Sequence, residues 1–253
     1  MTMPSSKKQK KNTTAAPGYG KRKNEMDRLA KDYIHRAQKD SFLTEVRAAL
    51  ADMPPAICFS RKIGVGSLEL AETLGKKLSY RVIDREIIEY IAQETQLTIK
   101  SIETFDEGYP GRLREFLCGF LGDKPFQLTD YSEYLFSAFF FLASSHPTIF
   151  VGRGAHLVLP RERVFAVRCI SSKSFRVKRL AETQSISERE ALKIVDQADR
   201  EQKEFYRKVY GKLDAPEAEF DIVVNFDHLK NTEAMADILV SLFALKFGMP
   251  PGR

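Results

Sequence analysis

Two kinds of hydrophobic run alternate along this chain. Short, almost wholly apolar runs fall at 56–59, 80–83, 147–151, 164–170 and 220–225, and each predicts a strand. Between them the apolar positions recur at helical spacing. The spacing predicts helices over 67–78, 84–94, 98–105, 130–144, 172–183, 187–206 and 232–247. Ile87, Ile88 and Ile91 line one face of the second of these, which Asp84 is placed to cap. Ser187 and Glu190 form the spacing of a capping box at the start of the 187–206 helix. The 130–144 helix is dense in aromatics, and Phe136, Phe139 and Phe140 read as core packing. Residues 106–128, punctuated by Gly and Pro, predict no element.

Strands without polar alternation are buried on both faces. Five of them alternating with helices predict an α/β fold with a parallel sheet covered by helices on each side, a three-layer α/β/α arrangement. In such sheets ligands bind beyond the carboxyl ends of the strands. The residues following those ends are the informative ones: 60–67, Asp84 with Arg85, and Gly152-Arg153-Gly154.

Ahead of this alternation the character differs. Residues 1–24 are rich in Lys, Ser, Thr, Pro and Gly and predict a disordered basic tail. Residues 25–55 predict a helical extension, ended by Met53-Pro54-Pro55, and 56–247 the main domain. The formal net charge is +6, yet the tail holds seven Lys or Arg and no acid, while the other 33 basic residues face 34 acids. The basicity belongs to the tail, so any nucleic-acid contact is expected there alone, through counterion release. Cys58, Cys118 and Cys169 show no CxxC spacing, and the four histidines no metal-ligand spacing. A reducing, cytoplasmic setting and no protein-bound metal site are expected. The most apolar stretch, 134–143, is about half a membrane span.

A strand, a glycine loop and a helix in succession make an anion site, because the glycines turn backbone N–H groups inward and the helix N-terminus adds a favourable dipole. Here the segment is Ser60-Arg61-Lys62-Ile63-Gly64-Val65-Gly66-Ser67. Laid on the phosphate-loop pattern G-x-x-x-x-G-K-[ST], Arg61 stands at the first glycine, Ser67 at the lysine and Leu68 at the hydroxyl residue. Arg61 and Lys62 bring positive charge beside the loop.

Ser60-Arg61-x-x-Gly64-x-Gly66, then Asp84-Arg85-Glu86-Ile87-Ile88, Phe105-Asp106-Glu107 and Val151-Gly152-Arg153-Gly154-Ala155 together resemble the cytidylate kinase-like family, a branch of the P-loop nucleoside monophosphate kinases. Phe175-Arg176-Val177-Lys178-Arg179 and the stretch from Asp196 through Arg207 are similar to that family's lid. The resemblance spans roughly 56–245. Leu68 departs from it, an arginine being expected there.

The resemblance implies a P-loop NTPase-like fold with a helical lid, and ATP with Mg2+ as donor and ion. It implies that Ser60, Arg61, Lys62, Gly64, Val65, Gly66 and Ser67 cradle the ATP phosphates, helped by Arg176 and Arg179. It places the acceptor at Asp84, Arg85, Asp106, Gly152 and Arg153, with CMP or dCMP the default by analogy. Arg61, Arg153, Arg200 and Arg207 are the expected catalytic arginines, since phosphoryl transfer needs positioning and positive charge. The alternative expectation is a nucleotide-binding module without turnover, carrying a polyanion-binding tail.

Overall fold

The computed structural model describes residues 28, 53–86, 88–89 and 130–248. The tail, most of the 25–55 extension, the 98–105 helix, Cys118, Asp106 and Glu107 lie outside the described residues. Among the described residues no helix is long and apolar enough to cross a membrane.

The elements alternate: β1 (Ala56–Ser60), α1 (Ser67–Leu78), β2 (Arg81–Asp84), α2 (Asp130–Ser145), β3 (Thr148–Val151), α3 (Ala155–Val158), β4 (Val164–Ile170), α4 (Lys173–Gln184), α5 (Glu188–Tyr210), β5 (Ile222–Asn225) and α6 (Thr232–Phe247). The strands form one sheet in the order β2-β3-β1-β4-β5, every pair parallel. This is the α/β arrangement expected from the apolar runs.

Side chains alternate across the sheet and build two cores. Ala56, Cys58, Phe150, Val164 and Ala166 face one side, where they meet Phe136, Phe139 and Phe140 of α2 and Tyr206, Val209 and Tyr210 at the end of α5. Ile57, Phe59, Ile149, Val151, Phe165 and Val167 face the other, against Leu70, Leu74, Leu239 and Phe243 of α1 and α6. Phe136, Phe139 and Phe140 of α2 are therefore core, fully buried. Cys58 and Cys169 are free thiols inside the sheet, and burial pushes both well up from their ordinary value.

A third, small core joins α4 to α5 through Val177, Leu180, Ala181, Ala191 and Val195. This helical hairpin is the lid-like appendage. The capping box opens α5 as expected, with Ser187 Oγ accepting from Glu190 N and the Glu190 carboxylate accepting from Ser187 N. The helix runs four residues past the predicted end at 206. Val209 and Tyr210 are buried in the first core, and Gly211, at φ 64°, supplies the left-handed stop. Periodicity read from a charged surface could not weigh that burial. The short helix α3, too brief for a periodic signal, was also not foreseen.

Gly75, in the last turn of α1, permits the close approach of helix to sheet. A Cβ there would stand 2.8 Å from Val82 Cγ2 and 2.9 Å from the Tyr80 carbonyl oxygen. Alanine ordinarily gains helix propensity over glycine, but by less than about 1 kcal/mol, and the clash is partly with backbone. Gly75→Ala is expected to destabilise the fold by about 1–3 kcal/mol, read as a lowered denaturant midpoint.

Candidate nucleotide site

The glycine loop links β1 to α1 at the carboxyl edge of the sheet. Gly64 and Gly66 have φ of 81° and 95°, a conformation in which side chains other than glycine are strained. Space excludes them too: a Cβ at Gly64 would lie 2.6 Å from the Arg176 carbonyl oxygen, and one at Gly66 2.9 Å from Arg179 Nε. Helix α4 is thus pressed onto the loop. Ser60, Val65 and Ser67 are buried, and Arg61 and Lys62 half-buried.

Helix α5 is tied over the same loop. Arg176 donates both Nη groups to the two Asp199 oxygens, each at 2.8 Å, and Gln202 Nε2 donates to the Arg61 carbonyl at 3.1 Å. Arg179 pairs with Glu69 and stands over Gly66. Arg176 and Arg179, expected at the donor phosphates, are therefore engaged with carboxylates in this state, although Arg176 Nε is buried and unbonded.

Three arginines converge beside the loop. Arg61, Arg85, Gly152 and Arg153, with Phe205 and Tyr206 of α5, line a cleft of about 330 Å³. Arg61 and Arg85 also face a second cleft of about 580 Å³ with Asp84, Leu68 and Glu89. Arg153 has φ 55°, between Gly152 at 97° and Gly154 at 76°. Three successive left-handed residues turn its side chain back over the sheet edge, a strained posture of the kind that clusters at functional sites. Its guanidinium pairs with Glu89, which also accepts from Arg85 Nε at 3.3 Å, and lies 4.2 Å from the centre of the Phe205 ring. Tyr210 donates to the Arg153 carbonyl at 2.5 Å.

Burial, followed by repulsion from Arg85, pulls the Arg153 pKa down to about 10, and the same two causes lower that of Arg61. Arg153 stays charged at neutral pH. The Arg153 Nε is buried without an acceptor. Asp84 acts as the expected cap, its Oδ1 accepting from Glu86 N at 3.0 Å, and its charge favours Arg61.

Arg200 and Lys62 do not enter this cleft. They line a separate cavity of about 430 Å³ with Arg168, Lys203, Tyr206 and Asp214. Arg207 sits on the exposed side of α5 and lines none of the cavities described here. A further cavity of about 560 Å³ opens beside Gly66, lined by Phe175, Lys178, Arg179, Phe226 and Lys230 among others.

Two residues escaped the sequence reading. Glu89 had no signal beyond its place on a helix. Arg168 had one, being the single charge inside an apolar strand; it is buried, and donates to Ser60 Oγ at 2.6 Å and to Asp214 Oδ1 at 3.1 Å.

A parallel sheet ordered 2-3-1-4-5, with a glycine loop after β1 and arginines after β2 and β3, is a P-loop kinase-type fold. The chain belongs to the cytidylate kinase-like family, whose model matches residues 56–228. An uncharacterized protein from Eubacterium ventriosum has a similar structure, with a TM-score of 0.54 at 15% identity, over 74% of this chain and 96% of that one. Shikimate kinase from Bacteroides thetaiotaomicron (TM-score 0.43, 16% identity, 75% of this chain and 98% of that one) and a gluconokinase from Sinorhizobium meliloti (0.45, 15%, 78% and 95%) are also similar. At these identities the likeness concerns the fold alone. No curated protein matches the chain.

Behind Arg153, His156 of α3 is buried against the Phe220 ring, 4.8 Å between centres, and faces Glu219 at 3.6 Å. Burial lowers its pKa from the ordinary 6.5, more than the Glu219 charge raises it. A histidine kept neutral in the fold takes up its proton first in the unfolded chain, so stability falls as pH drops below about 6.5. The denaturant midpoint is expected to fall between pH 7.5 and 5.5, and His156→Phe to flatten that fall.

Proposed function

We propose that the protein is an ATP-dependent kinase that transfers the γ-phosphoryl group to a nucleoside monophosphate. The observation that carries this reading is the convergence of Arg61, Arg85 and Arg153 on one cleft beside the glycine loop. Burial first, and then repulsion from Arg85, lowers the pKa values of Arg153 and Arg61. A phosphate dianion relieves that repulsion and offers an acceptor to the orphaned Arg153 Nε. The acceptor's 5′-phosphate is assigned to this cleft, where it would take over Arg85 and Arg153 from Glu89.

The donor is assigned to the loop and the cavity next to Gly66. There, backbone N–H groups at the start of α1 face the phosphates, Lys178, Arg179 and Lys230 add charge, and Phe175 and Phe226 offer apolar surface to a base. Transfer needs an in-line approach of an acceptor oxygen to the γ-phosphorus. Arg61, on the glycine loop and lining the acceptor cleft, meets the charge that spreads over the transferring oxygens. The α4–α5 hairpin shields the reaction from water.

Mg2+ is supplied with ATP. No group of three or more acidic, His or Cys side chains able to hold a metal occurs among the described residues, and Leu68 stands at the hydroxyl position. The phosphates and water would provide most of its ligands. CMP is the first acceptor to try because of the family's description. The second reading, nucleotide binding without turnover, is favoured by Ser67 and Leu68 at the lysine and hydroxyl positions.

A coupled assay of ADP release with ATP, Mg2+ and a panel of nucleoside monophosphates decides between them. Acceptor-dependent turnover is expected, falling by about 100-fold or more in Arg153→Ala. No ADP release with any acceptor, from folded protein that binds ATP, would favour the binding module.

A further inference from the structure

We propose that Arg168 is a positioning residue that fixes the start of the glycine loop against helix α5; the proposal rests on the kinase reading above. Arg168 lies on β4 with a side chain only 9% exposed. Its guanidinium reaches across to β1, where Nη1 donates to Ser60 Oγ at 2.6 Å, and out beyond α5, where Nη2 donates to Asp214 Oδ1 at 3.1 Å. Its third neighbour is the Phe220 ring, 5.7 Å away. Ser60 is the last residue of β1 and the first of the loop. Asp214 follows the Gly211 cap that ends α5. One side chain thus joins the two segments whose spacing sets the cleft.

Stability gives little reason for an arginine there. Burying a charge is costly, and a buried pair is often replaceable by apolar residues at no loss. The Asp214 side chain is 72% exposed, so its half of the pair is screened by water. Neighbouring β4 residues on both faces are apolar and tightly buried. What the arginine supplies that an apolar residue would not is direction: a planar fork holding Ser60 Oγ in one place. Gln202 of α5 holds the next residue's carbonyl, so the Ser60-Arg61 step is fastened from β4 and from α5 together. Release of Ser60 would let the loop drift from Arg176 and Arg179, and the backbone N–H groups would lose their common aim.

Arg168→Lys keeps the charge and removes the fork, and Ser60→Ala removes the acceptor, so both test the tether without stripping a buried charge. Amide hydrogen exchange of the ligand-free full chain reads the loop directly. ATP affinity, by calorimetry with Mg2+, reads its consequence. Loop amides 62–67 are expected to exchange faster in R168K, and the ATP Kd to rise about tenfold, the scale of one charge-assisted hydrogen bond. S60A should do the same, and the double variant should be no worse than either single one. Wild-type-like exchange in R168K would overturn the proposal. So would an unchanged Kd with only a lowered melting temperature, or strictly additive losses in S60A/R168K. Failure of the wild-type chain to bind ATP would instead overturn the kinase reading, and this proposal with it, an outcome visible before any variant is made.

Discussion

The register of β1 between β3 and β4 is the constraint on which the rest of the site depends. Ile57, Cys58 and Phe59 pair with Ile149, Phe150 and Val151 on one side, and with Phe165, Ala166 and Val167 on the other. With every strand parallel, the three carboxyl ends emerge side by side, and the residues after them have to share one edge. Ser60 and Arg61 follow β1, Gly152 and Arg153 follow β3, and Arg168 lies near the end of β4. A one-residue slip would send each alternate side chain to the wrong core. Close packing of Phe150, Phe139 and Phe165 on the two faces makes such a slip untenable.

On that edge the protein gathers positive charge and then restrains it. Arg153 is held by Glu89 and the Phe205 ring, Arg176 by Asp199, Arg179 by Glu69 and Arg168 by Asp214. Each carboxylate keeps its arginine aimed and soluble in the absence of an anion. None of these pairs contributes much to stability where it is open to water. On the proposed function their effect is preorganisation: a phosphate would meet guanidinium groups already oriented, and less conformational entropy would be lost on binding. The strained φ of Arg153 belongs to the same economy, since it aims a charge that relaxed backbone would turn away.

The α4–α5 hairpin has its own small core, against which Ile63 of the loop packs, and polar ties to the loop through Arg176 and Gln202. Polar ties can exchange partners with ligand and water, whereas the two sheet cores cannot. The far end of α5 belongs to the frame, since Tyr206, Val209 and Tyr210 lie in the first core, so any adjustment of the hairpin falls on its polar ties.

Most of the frame was legible in the sequence because it rests on local rules. Five apolar runs without alternation specify doubly buried strands, the Ser187–Glu190 spacing specifies a helix start, and two glycines between a strand and a helix specify an anion-binding turn. The convergence of Arg61, Arg85 and Arg153 followed from their places after strand ends. What the sequence could not settle was which way each charged side chain faces. Arg200 and Lys62 share a cavity apart from the arginine cleft, Arg207 points to solvent, and Arg176 is spent on Asp199. Beside the local Arg85, Glu89 acquires a partner 64 residues on in Arg153, and Arg168 one 108 residues back in Ser60. Local propensity fixes where a helix or strand begins. Only tertiary packing decides which charges meet, because ion pairs and hydrogen bonds act over a few ångströms in space with no regard for distance in sequence.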